Sequence, residues 1–166
     1  MFRFLLAALS AASLWAQSPA PLDPAFASFF EGKWSCSGEF ANGKKIEADM
    51  EFDRKLSDKW LSFKHTDRPP NKYKAIGAWG MDLESGQLVA LQEDNGGGAR
   101  LFVSKGWNNN SVVFELTPIL SHAPRQERFT YTKESADTFR MKYERGLPDG
   151  SWKLGDSLLC KRAKKS

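Results

Sequence analysis

The sequence is poor in the residues that most often carry chemistry. Its 166 residues include only two histidines and two cysteines. His65 and His122 stand far apart, which excludes the close histidine pairs of metal-binding motifs, so no metal site is expected. No Gly-x-Ser-x-Gly turn is present, and with it goes the hydrolase nucleophile elbow. The run Gly96-Gly97-Gly98 is not followed by Gly-Lys-Ser/Thr, so it reads as a mouth loop or turn and not as a phosphate cradle. After the N-terminal segment, no apolar run is long enough to cross a membrane as a helix. Charge is also nearly balanced, with a formal net of +4 and both signs interleaved along the chain. No basic stripe carries exposed aromatics, which argues against a nucleic-acid partner.

The first residues read as a targeting signal. Arg3 precedes an apolar run from Phe4 to Leu14, and small residues follow. Residues 1–16 are therefore expected to be a signal peptide cut after Ala16, with a cut after Ala20 as the alternative. Without residues 1–16 the charge is 23 basic less 20 acidic residues, or +3. The expected mature protein is exported, to the periplasm or outside the cell. Residues 17–25 read as a Pro- and Ala-rich linker, 26–162 as one domain, and 163–166 as a basic, solubilising tail.

What the chain does have is aromatics and alternation. Twelve Phe, six Trp and three Tyr suit half-buried sheets. Asp23-Pro24 is a helix start, an N-cap followed by proline at the first helical position. One or two turns can follow, with Phe26, Phe29 and Phe30 on one side and Gly32 ending them. From Lys33 onward, short alternating segments are divided by turn signals. Ile46, Ala48, Met50 and Phe52 alternate with acidic residues, the pattern of a strand with one wet face. Asn42-Gly43 reads as a two-residue hairpin turn. Ten such segments with tight connections predict an all-β fold, a ten-stranded antiparallel up-and-down barrel with a short N-terminal helix. Closure makes the first and last strands neighbours. Trp34 and Cys36 share a face, as do Leu154, Leu158, Cys160 and Arg162 by simple alternation. A Cys36–Cys160 disulfide is then possible, the alternative being two buried thiols.

The stretch "FFEGKWSCSGEF", a short helix running into Gly-x-Trp on the first strand, resembles the calycin barrels, which include the lipocalins. That resemblance implies that Trp34 plugs one end, with Gly32 at the turn and Arg162 packed across the indole. Across residues 26–162 the chain is similar to exported, lipocalin-like bacterial barrels known only as a domain of unknown function. The elements carrying this likeness are "FFEGKWSCSGEF", "KWLSFKH", "AIGAWGMDLESGQLVAL" and "DTFRMKYERGLPDGSWKLGDSLLCKR". The chain more distantly resembles the haem-binding nitrobindin barrels. There a histidine near the last strand holds the iron, and "SWKLGDSLLCKR" has none, so no haem or other cofactor is expected.

Function is then sought in the lumen. Parity and apolar character nominate Phe52, Phe63, Trp79, Phe114, Tyr131, Met141 and Tyr143 as ligand-binding lumen residues, beside Met50, Phe129 and Phe139 as further inward positions. His65 and Arg145 are nominated to meet a polar head group, Arg145 over Arg140 because Arg140 has the opposite parity to Met141. The expected function is non-catalytic binding of a small apolar or amphipathic molecule. The alternatives are a filled structural or protein-interaction barrel of the cell envelope, and a small-molecule enzyme, which requires polar groups of perturbed pKa deep in the cavity. No catalytic residue is nominated.

Overall fold

The computed structural model describes residues 21–108, 110–118 and 126–164. The expected signal peptide, the start of the linker, His122 and the end of the basic tail lie outside the described residues.

The helix α1 spans Pro24–Phe30, and the Asp23 carboxylate accepts from the Ala25 and Phe26 amides at 2.7 and 3.2 Å. Ten strands follow: β1 (Gly32–Phe40), β2 (Lys45–Lys55), β3 (Trp60–Asp67), β4 (Lys74–Met81) and β5 (Leu88–Asp94), then β6 (Ala99–Ser104), β7 (Ser111–Leu116), β8 (Glu127–Ser135), β9 (Thr138–Gly146) and β10 (Trp152–Arg162). Each pairs antiparallel with its sequence neighbours, and β1 pairs with β10, so the sheet closes as an up-and-down barrel with no free edge. Alternation does the sorting. On β2, Ile46, Ala48, Met50 and Phe52 are buried while Glu47 and Asp49 are exposed.

Closure puts Cys36 opposite Cys160 and Trp34 opposite Arg162. The two cysteines form a disulfide that links positions 124 residues apart. In a chain-entropy account, closing a loop of that length removes about 5 kcal/mol of freedom from the unfolded chain.

Two local expectations are corrected. The first hairpin has a three-residue loop, not two. The Phe40 amide donates to the Lys44 carbonyl, and Ala41, Asn42 and Gly43 lie between, with Gly43 taking the left-handed position at φ 82°. On β10, simple alternation fails near its start. The register against β9 shifts between Leu154 and Asp156, which leaves Gly155 as a bulge. Leu154 is therefore turned out and exposed, whereas Asp156, Leu158 and Cys160 face inward. A Cβ at Gly155 would come within 2.6 Å of the Tyr143 ring, so the close approach of that ring requires glycine.

The interior is not uniform. At the end where the chain enters β1, α1 drives Phe26, Phe29 and Phe30 into the barrel. These rings meet Trp34, Phe52, Trp79, Trp107 and Phe139 at centroid distances of 5.2–6.4 Å, edge to face or tilted. The Trp34 indole N–H donates to the Phe30 carbonyl at 2.7 Å. Arg162 lies 4.2 Å from the Trp34 ring centroid and donates to the Glu31 and Phe29 carbonyls, both at 2.8 Å. A Cβ at Gly32 would press to 3.3 Å of that guanidinium. The helix end is thus tied to the last strand by charge-assisted bonds and cation–π attraction.

Candidate functional site

The opposite end is hollow. A cavity of about 300 Å³ opens there, between the β1–β2, β3–β4, β5–β6 and β9–β10 connections. That volume is at the low end for small-ligand pockets. Residues 68–73 and 95–98 are two of these connections, at the end away from Trp34.

The wall grades from apolar to polar along single strands. On β3 the inward positions run Phe63, His65, Asp67, and on β9 they run Met141, Tyr143, Arg145. A period of two puts each triplet on one face, the first member deepest. Met50, Ala75, Phe129 and Tyr131 complete the apolar floor, and Phe40, Tyr73, Gln92, Arg100, Gly155 and Asp156 the rim. Of the residues nominated from sequence, Phe63, His65, Tyr131, Met141, Tyr143 and Arg145 line the cavity. Phe52, Trp79 and Phe114 point inward but belong to the aromatic cluster beneath it, where each is fully buried. Arg140 lies outside and pairs with Glu134 at 2.7 Å.

Most of the rim's polar groups already have partners. His65 Nε2 is 2.7 Å from Asp67 Oδ1, and both side chains are buried. The His65 ring meets Tyr73 edge-on at 5.5 Å. Gln92 donates to the Tyr73 hydroxyl at 3.0 Å. Arg100 is held between Glu127, at 3.2 Å, and Asp94. Asp94 also accepts from the Gly96 and Gly98 amides, at 2.8 and 3.1 Å, so the glycine turn fixes the carboxylate that fixes Arg100.

Burial perturbs the ionisable groups here. It pushes the Asp156 carboxyl up to about 6. His65 and Arg145 oppose that shift and the Asp67 charge adds to it. Burial raises Tyr143 to about 12, and the neighbouring Glu127 contributes. Tyr73 and Tyr131 are also raised by burial, so all three phenols stay neutral at ordinary pH.

Asp67, Tyr73, Gln92, Arg100 and Asp156 are not among the residues nominated from sequence. All five were open to parity: Asp67 follows Phe63 and His65 in steps of two, Tyr73 precedes Ala75 and Trp79, Gln92 follows Leu88 and Ala90, Arg100 precedes Phe102, and Asp156 precedes Leu158. Tyr73 lies just before β4.

No family model matches the chain, and no curated protein matches it. Solved structures do. The crystal structure of Rv2717c from M. tuberculosis aligns at a TM-score of 0.56 with 12% identity, covering 86% of this chain and 99% of that one. The S-type phycobiliprotein lyase CPES from Guillardia theta aligns at 0.51 with 11% identity, covering 86% and 92%. At such identities the likeness concerns the barrel fold alone.

Proposed function

We propose that this protein is an exported binding barrel that holds one small amphipathic molecule in its hollow end without altering it chemically. The observation that carries this reading is the graded cavity, apolar at its floor and polar at its rim. Such a gradient suits a ligand with a compact apolar body and a polar head. Each 100 Å² of apolar ligand surface buried contributes roughly 2.5 kcal/mol before the entropic cost of association. Export is supported by the buried disulfide, since such bonds persist in oxidising compartments. Native mass spectrometry of protein purified from its host is the test. The expected result is a retained small-molecule mass that raises the melting temperature when added back. No retained mass, with no thermal shift across a panel of small amphiphiles, overturns the reading.

One observation favours a second reading, proton transfer on a bound substrate. The His65–Asp67 pair lines the same cavity as Asp156, whose raised pKa suits a general acid or base. CPES, one of the structural neighbours, is named a lyase. Recovery of a host ligand in chemically altered form after incubation supports this reading over simple binding.

A further inference from the structure

The lumen site, if it binds a small amphiphile as proposed above, has a chemical preference set by which rim groups are unspent. Asp67 is engaged by His65, Gln92 by Tyr73, and Arg100 by Asp94 and Glu127. Asp156 differs. It lines the cavity, and among the described residues no donor hydrogen-bonds to its carboxylate. Its directly opposed neighbours on the two flanking strands are aromatic, Phe40 on β1 and Tyr143 on β9. Phe129 stands beside Tyr143 with ring centroids 5.0 Å apart. A carboxylate bracketed by aromatic side chains, at the top of an apolar floor, is the arrangement that receives an ammonium group: the carboxylate supplies the counter-charge and the rings supply cation–π attraction.

The charged groups lining the cavity are Asp67 and Asp156, Arg100 and Arg145, besides His65, and Arg100 is already paired with Asp94 and Glu127. Arg145 is exposed at the rim and lies over the Tyr143 ring, 5.7 Å from its centroid. A carboxylate ligand drawn to it would have Asp156 and Asp67 as neighbours.

We infer that the hollow end selects molecules with a protonated amine head and a compact apolar body, with Asp156 as the counter-charge.

Three probes sharing one body test this by calorimetry on the full chain at pH 7.5: 2-phenylethylamine, 2-phenylethanol and 3-phenylpropionate. The amine is expected to bind about tenfold tighter than the alcohol, as one charge-assisted bond allows, and the carboxylate weakest. Asp156→Asn, nearly isosteric, is expected to reduce amine affinity about tenfold and leave the alcohol unchanged. Arg145→Gln is expected to leave amine affinity equal or higher. Alcohol binding with no preference for the amine overturns the inference and leaves the lumen-binding reading standing. So does a preference for the carboxylate, or an Asp156→Asn variant that binds the amine like the parent. Binding by none of the three overturns both.

Discussion

The two ends of this barrel share one sheet and one alternation rule, yet one is solidly filled and the other is hollow. The difference comes from what enters. At the base, α1 inserts three phenylalanines that engage Trp34, Trp79 and Phe139, and Arg162 ties the helix end to β10. At the mouth no described element enters. The inward positions there are taken by His65, Asp67, Gln92, Arg100 and Asp156 among shorter stretches of apolar wall. Stability and the candidate binding site are thus separated along the barrel axis. Aromatic contacts at one end support a polar, partly desolvated end that would not be favoured on its own.

The largest expected effect tests the base. Phe30→Ala removes a fully buried ring with many aromatic neighbours and is expected to lower unfolding free energy by about 3–5 kcal/mol. Phe129→Ala, on the half-buried cavity wall, is expected to cost less than half of that, because its site already borders a void. Urea denaturation of both variants decides the point, and equal losses would break the comparison.

A smaller effect of opposite sign belongs to the mouth. The Asp156 carboxyl is raised from 3.8 to about 6 in the folded protein. The folded state therefore holds this proton more tightly than the unfolded chain. The stability linked to it is complete below pH 4 and is lost as pH rises through 6. The full shift corresponds to roughly 3 kcal/mol. Asp156→Asn should accordingly stabilise the protein at pH 8 by about 1–3 kcal/mol, with the gain vanishing near pH 4. Melting curves at the two pH values check this, and a variant destabilised at pH 8 contradicts it. A residue that weakens the fold while facing a cavity is what a binding role leads one to expect.

Much of the fold is legible from alternation alone. Ile46, Ala48, Met50 and Phe52 announce β2, and Asp23-Pro24 announces α1, because side-chain period and capping are local properties. The number of strands and the closure of β1 on β10 follow from short connections. The errors are equally physical. Asn42-Gly43 suits both two- and three-residue loops, and only the pairing of Phe40 with Lys44 distinguishes them. Gly155 looks like any strand glycine, but as a bulge it turns Leu154 outward. The candidate site is less legible, because parity reports inward direction and not depth. Phe52 and Phe63 share a parity and a cross-strand pair, but Phe63 lines the cavity while Phe52 lies in the aromatic cluster below. Polar residues near strand ends, such as Asp67 and Asp156, look solvated until neighbouring strands are brought around them.

The methionines offer the most direct test of the central claim, that the hollow end and not the aromatic-filled end is the site. Met50 and Met141 line the cavity, whereas Met81 lies against the hydrophobic core beside Trp107 at the other end. Methyl-labelled methionine NMR, with 2-phenylethylamine titrated into the full chain, reads all three at once. Progressive, saturable shifts of Met50 and Met141 are expected, with Met81 unmoved. Shifts confined to Met81, or no shift at any of the three methionines with the amine, 2-phenylethanol or 3-phenylpropionate, would contradict the central claim.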